Sequence, residues 1–234
     1  MSNQELAYKI FNKDGKIIQV EYGLEALNNS LPLVVLKNRD MIVCAAKKGI
    51  TSKLEDETHS CIKQIYDNLY TAFSGLNADI SLINLKCINI AASASFEYGF
   101  PATADIVARD LADNMQKLIQ SSGVRSPAFG GAVFGFDGDK PIITKTDMSS
   151  VVYPVYGVAV GEKHQKMTKY IEKFYTPDIS HQELFEIAAG SLLESIGEDS
   201  GWQELEVAYL KKDGKITYLH DSEIEKLLQS IAEK

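Results

Sequence analysis

The sequence is poor in residues that interrupt, cross-link or positively charge a chain. Its 234 residues include only six prolines. No Gly-, Pro- or Ser-rich linker divides it, so it reads as a single domain, 1–234. Its three cysteines, Cys44, Cys61 and Cys87, form no CxxC and cannot complete an even-numbered framework. That excludes a disulfide scaffold and points to a reducing compartment, cytoplasm or nucleus. Lys and Arg number 24 against 32 Asp and Glu, a net charge of −8. No basic run exceeds the pairs Lys47-Lys48 and Lys211-Lys212. Nucleic acid and anionic membrane surfaces are therefore excluded as broad partners, since both need a field of the opposite sign. No apolar stretch reaches the ~18 residues of a membrane span, and the opening Met1-Ser2-Asn3-Gln4-Glu5 lacks a secretory signal's basic-then-apolar order.

What remains is an ordinary soluble composition, 45% apolar and 24% charged. A chain of this length can bury roughly 70% of its unfolded surface without staples. Its pattern begins with a turn at Lys13-Asp14-Gly15-Lys16 and a helix over Ile18 to Asn28. The runs 31–37 and 41–46 flank Asn38-Arg39-Asp40 as a hairpin, and 61–65 with 69–73 make a second. Between Ala78 and Tyr98, Ile80, Ile83, Cys87, Ala91 and Ala94 repeat at helical spacing. Leu82, Leu85 and Ile88 widen that stripe, which predicts a largely buried helix. Val107, Leu111, Met115 and Leu118 give the next helix, 103–120, a one-sided stripe.

A second β block follows. Asp137-Gly138-Asp139 joins 132–136 to 141–144, strand material continues over 151–160, and Gly130-Gly131 fits close sheet packing. Helices return at 162–174 and 180–195, the latter opened by the capping-box pattern Ser180-His-Gln-Glu183. A hairpin around Lys212-Asp213-Gly214 precedes a last helix opened by Ser222-Glu-Ile-Glu225. Each helix pair needs a sheet face to cover, and each strand block needs a second layer behind it. An α+β fold, a four-layer α-β-β-α sandwich of two antiparallel sheets, satisfies every apolar face.

The chemistry-bearing residues do not assemble into an active site. His59, His164, His181 and His220 have no ligand spacing, so no metal is expected. There is no phosphate loop, dinucleotide fingerprint or Gly-x-Ser-x-Gly elbow, and no cofactor is expected. Cys44 and Cys87 sit in apolar runs as core residues, while Cys61 is more polar in context. Glu204 and Glu206 alternate on one strand face and read as solvated surface.

The segment Phe11-Asn12-Lys13-Asp14-Gly15-Lys16-Ile17-Ile18-Gln19-Val20-Glu21-Tyr22-Gly23-Leu24-Glu25-Ala26 resembles the N-terminal signature of proteasome alpha-type subunits, with Gln-Val-Glu-Tyr intact. Gly75-Leu-Asn-Ala-Asp79 resembles the family's Gly-x-x-Ala-Asp, and Gly123-Val-Arg125 its Gly-Val-Arg-Pro, here broken by Ser126. The resemblance spans nearly the whole chain and implies the N-terminal-nucleophile hydrolase fold. Leu205-Glu206-Val207, with Ile224-Glu225 and Ile231-Ala232-Glu233, looks most like the alpha-1 position of the eukaryotic ring.

That resemblance implies a non-catalytic subunit of the 20S core. It would sit in a seven-membered ring with other alpha subunits, against beta-ring subunits and a regulatory particle or other activator. Residues 1–17 would be the gate segment and turn, 18–29 a ring-contact helix, and 30–234 the sandwich. Catalytic beta-type relatives use a threonine whose free amine activates its hydroxyl, with an Asp and a Lys nearby. Those places fall near Asn29 or Ser30, Ala45 or Ala46, and Cys61. Self-cleavage before Ser30 is the alternative, a hydrolase without its usual activators.

For the gate, the family's Tyr, Asp and turn Pro are replaced by Gln4, Glu5 and Lys13, beside Asp14, Gly15 and Tyr22. An exposed Glu5–Lys13 pair is expected to contribute at most about 1 kcal/mol, so the open pore would be ordered weakly. Ring contact is expected from Gln19, Val20, Glu21, Leu24 and Leu27. The family's activator-pocket lysine maps to Cys61, with Lys63 two residues on, which predicts weak docking of a C-terminal carboxylate.

Overall fold

Asn12 starts the described chain path by folding the backbone back on itself. Its Oδ1 accepts from the amides of Asp14 and Lys16, both at 2.9 Å, while Gly15 takes φ 74°. The computed structural model describes residues 11–49, 54, 60–121, 123–197 and 200–233. Helix α1, Ile18–Asn28, follows the turn. It ends at Asn29, whose side-chain amide donates to the Glu25 carbonyl at 2.9 Å.

Strands β1 (Leu33–Lys37) and β2 (Met41–Lys47) form the first hairpin. Its corner is held by Asn38 Oδ1, which accepts from Asp40 N and Met41 N. Strands β3 (Ile62–Tyr66) and β4 (Leu69–Gly75) form the second. Helices α2 (Asn77–Tyr98) and α3 (Ala104–Ile119) lead to β5 (Phe129–Asp137), β6 (Lys140–Asp147), β7 (Val152–Pro154) and β8 (Gly157–Val160). Then come α4 (His164–Phe174), α5 (His181–Ile196), β9 (Leu205–Lys211), β10 (Ile216–Tyr218) and α6 (Asp221–Ala232).

Two antiparallel five-stranded sheets result, ordered β10-β9-β2-β1-β8 and β3-β4-β5-β6-β7. Period-2 alternation gives each sheet two apolar faces. Val35, Cys44, Ala72 and Phe134 pack between the sheets. Phe73, Phe129 and Val133 face outward under α2 and α3, where Ile83, Cys87, Val107 and Leu111 cover them. Val34, Val43 and Val207 pack under Ile171 of α4, Leu184 and Ala188 of α5, and Ile224 of α6. These three apolar layers make the expected α-β-β-α sandwich.

Four local expectations need correction. The strand material at 151–160 divides between the sheets, β7 pairing with β6 and β8 with β1, so the chain crosses the sandwich at Val155-Tyr156. Helix α2 is one-sided rather than largely buried: Ile83 and Cys87 are enclosed, but Leu82, Leu85 and Ile88 lie exposed. Spacing reports the width of an apolar stripe, not whether a neighbour in the same chain covers it. The last helix starts at Asp221, one residue before Ser222, and its cap is His220, whose backbone amide donates to Glu223 Oε2 at 2.7 Å. Glu206 is only partly exposed rather than solvated surface, because Ser60 from the start of the other sheet covers its carboxylate and donates to it. The capping box of α5 forms as its sequence dictates, with Glu183 N donating to Ser180 Oγ and Ser180 N to Glu183 Oε2.

Candidate functional site

Ser30 lies between α1 and β1, at the place where a nucleophile is expected. Its nitrogen is an ordinary amide that donates to the Leu27 carbonyl at 3.0 Å, and its own carbonyl accepts from Glu162 N at 2.9 Å. The hydroxyl donates to Leu27 O at 2.6 Å and lies 2.7 Å from Ser74 Oγ, which in turn donates to Leu31 O. Two hydroxyl protons thus serve three contacts, all with neutral oxygens. Among the described residues, neither a carboxylate nor an ammonium takes part in this network. Ala45 and Ala46 are buried in β2, and Lys47 pairs with Glu204 at 3.6 Å. A general base for Ser30 is missing among these groups. Ser74 was not singled out from sequence, because its partner is 44 residues away.

Helix α1 lies across this end of the sandwich, over β5 and the end of β6. Gly23 faces Met148 and Leu27 faces Gly130, where any added Cβ would collide with the opposite side chain. Leu27 is therefore turned into the domain, and Val20 and Leu24 are half-buried. Gln19, Glu21 and Tyr22 are exposed, and Glu21 pairs with Lys16 at 3.1 Å. Tyr22 is 68% accessible. Lys13, Asp14 and Gly15 lie exposed in the turn that Asn12 organises, a role the sequence reading did not assign. Gln4 and Glu5 lie outside the described residues.

Two motifs read separately meet in space. Asp79, in the first turn of α2, accepts from Arg125 Nη1 and Nη2 at 2.7 and 2.8 Å and from Ala128 N at 2.8 Å. The Arg125 fork holds the Asp79 carboxyl below its usual range, and burial opposes that shift without reversing it. The contact ties the start of α2 to the loop entering β5.

Cys61 and Lys63 bracket the start of β3, the edge strand that pairs with β4. Lys63 is exposed, while Cys61 is half-buried with its thiol 3.9 Å from Glu206 Oε1. Glu206 Oε1 also accepts from Ser60 Oγ at 2.7 Å, and Tyr218 OH lies 3.3 Å from the same hydroxyl. Burial pushes the Glu206 carboxyl up, partly offset by Ser60 and by Lys48 and Lys63. The neighbour of Cys61 is thus an acid, the wrong sign for an incoming carboxylate. Among the described residues, no group of His, Cys, Asp and Glu could hold a metal ion, and His59 lies outside them. Among the same residues, no helix is long and apolar enough to cross a membrane.

A family model described as "Proteasome subunit" matches residues 28–210. Proteasome subunit alpha type-7 of Dictyostelium discoideum is 30% identical over 97% of this chain and 91% of its own length. Proteasome subunit alpha type-4 of Saccharomyces cerevisiae is 30% identical, covering 100% of this chain and 94% of that protein. The proteasome subunit alpha of Pyrococcus abyssi is 32% identical over 96% and 86%. None of these three carries an alpha-1 designation, so that position gains no support from them. With the signature helix in place before Ser30, the paired Asp79 and Arg125 motifs, and similarity running end to end, the chain belongs to the proteasome alpha-type subunit family.

Proposed function

We propose that this chain is a non-catalytic structural subunit of the 20S proteasome outer ring. It assembles with other alpha subunits in a seven-membered ring, contacts beta-ring subunits, and helps gate substrate entry for ubiquitin-dependent protein degradation in the cytoplasm and nucleus. The observation that carries this reading is the condition of Ser30. Among the described residues its hydroxyl meets only neutral oxygens, and α1 is packed on the domain just ahead of it. A hydrolase of the N-terminal-nucleophile type needs the opposite, a free amine and charged partners. Exposed Gln19, Glu21 and Tyr22, with the half-buried Val20 and Leu24, form the ring-facing side of α1, while Leu27 anchors the helix to its own domain. The acid beside Cys61 supports weak docking of a regulator's terminal carboxylate at this subunit.

Native mass spectrometry of complexes containing this chain, isolated from its own cells, tests the reading. The expected result is a full core particle that releases the chain with α1 still attached. A lone monomer, or a chain beginning at Ser30, would overturn it.

A further inference from the structure

We propose that Cys44 and Cys61 form a peroxide-oxidisable dithiol that closes into an intrachain disulfide across the rim of the sandwich. The placement is set by strand register. Cys44 pairs with Ala208 and Ala46 with Glu206, so Cys44 and Glu206 are diagonal neighbours on the face of their sheet that looks toward the other sheet. Cys61, entering the opposite sheet, packs against the apolar layer that contains Cys44. Its thiol donates toward Glu206 Oε1 at 3.9 Å. Burial, and after it the neighbouring Cys61 side chain, push the Cys44 thiol well above its ordinary range.

The two sulfurs differ in access and in freedom to move. Cys44 is in mid-strand, bonded between Val35 of β1 and Ala208 of β9, and only 1% exposed. Cys61 is partly open and sits at a bend one residue before Ile62, the first paired residue of β3. Oxidant therefore reaches Cys61 first, and the movement that brings the Cα atoms to the about 4.4–6.8 Å of a disulfide falls on Cys61.

As thiolate, the Cys61 sulfur attacks one peroxide oxygen. An S–O bond forms, the O–O bond breaks, and the departing hydroxide takes up a proton, giving a sulfenic acid and water. The Cys61 thiol donates toward Glu206 Oε1, so that carboxylate takes the Cys61 proton as the thiolate forms and returns it to the departing hydroxide. The Cys44 sulfur then attacks the Cys61 sulfur. The S–S bond forms, the S–O bond breaks, and hydroxide leaves as water with the Cys44 proton. In sum, two thiols lose two electrons and one peroxide becomes two waters. Cys87 is an internal control: it is fully enclosed on the inner face of α2, and burial pushes its thiol up to about 12.

The full chain, in whatever assembly it is isolated, is exposed to hydrogen peroxide, unfolded, alkylated without reduction, digested and mapped by mass spectrometry. The expected product is the Cys44 peptide linked to the Cys61 peptide, two hydrogens lighter than the sum, with Cys87 alkylated. Cys61→Ser leaves Cys44 alkylated at doses that convert most of the unmodified chain. Cys44→Ala raises trapping of Cys61 sulfenic acid by dimedone about tenfold, since no second thiol consumes it. Should Cys44→Ala fail to fold, the parent chain and Cys61→Ser decide alone. The proposal is overturned if Cys44 is alkylated in the oxidised parent, if Cys87 oxidises as fast, or if the only disulfides join separate chains.

Discussion

Removing the Arg125 side chain should loosen the join between α2 and the loop entering β5, by an amount the geometry bounds. The fork makes two charge-assisted bonds to Asp79, but Arg125 is 60% exposed while Asp79 is 9% exposed. Half of the pair is wet, so Arg125→Ala should cost about 1–2 kcal/mol, with Asp79 still accepting from Ala128 N. Asp79→Ala goes further, because the buried amide of Ala128 loses its acceptor. An unsatisfied buried donor adds about 1–3 kcal/mol, which brings the loss to roughly 2–4 kcal/mol. Urea unfolding of both single variants and of the double variant reads these losses and their coupling. The double variant should cost no more than Asp79→Ala alone.

The pH dependence gives an independent reading of the same pair. Because the Asp79 carboxyl is lower in the fold than its ordinary value of 3.8, its stabilisation is complete above that value. It fades as pH falls through the folded value, so the gap between parent and Arg125→Ala should close below pH ~4. An Arg125→Ala loss equal to that of Asp79→Ala, or a gap that persists in acid, would refute the assignment of the fork.

Gly23→Ala should destabilise the chain by about 1 kcal/mol despite its better helix propensity, because the new Cβ meets the fully buried Met148. In a Met148→Ala background the same change should become neutral or stabilising, a reversal that a double-mutant cycle in urea measures directly. Glu206→Gln addresses the buried acid. Since the Glu206 carboxyl is raised in the fold, ionising it costs stability as pH climbs above 4.5. The Gln variant should match the parent in mild acid and gain on it toward neutral pH, read as a melting temperature across that range.

The sequence carried the local elements well and their pairing less well. The bounds of α1, the hairpin corners at Asn38, Gly138 and Gly214, and the Ser180 cap follow from near-neighbour rules, and the structure has them where those rules put them. Asp79 and Arg125 were each legible as motif residues, yet their ion pair was not, since spacing says nothing about contacts between distant segments. Glu206 illustrates the same limit. Alternation placed it on a strand face, but only the cross-sheet position of Ser60 and Cys61 makes that face enclosed. The division of 151–160 between sheets hangs on a two-residue crossing that carries no turn signal stronger than Pro154.

Helix α1 is the first described helix to leave the ribosome and among the last to find its seat. Its docking partners, Gly130 and Met148, are made roughly a hundred residues later, a long-range closure that comes late in folding. Until β5 and the end of β6 exist, Leu27 and Gly23 lack Gly130 and Met148 to pack against. The seating of this helix therefore reports that synthesis has passed β6, and a nascent chain stopped earlier would carry its adhesive face uncovered.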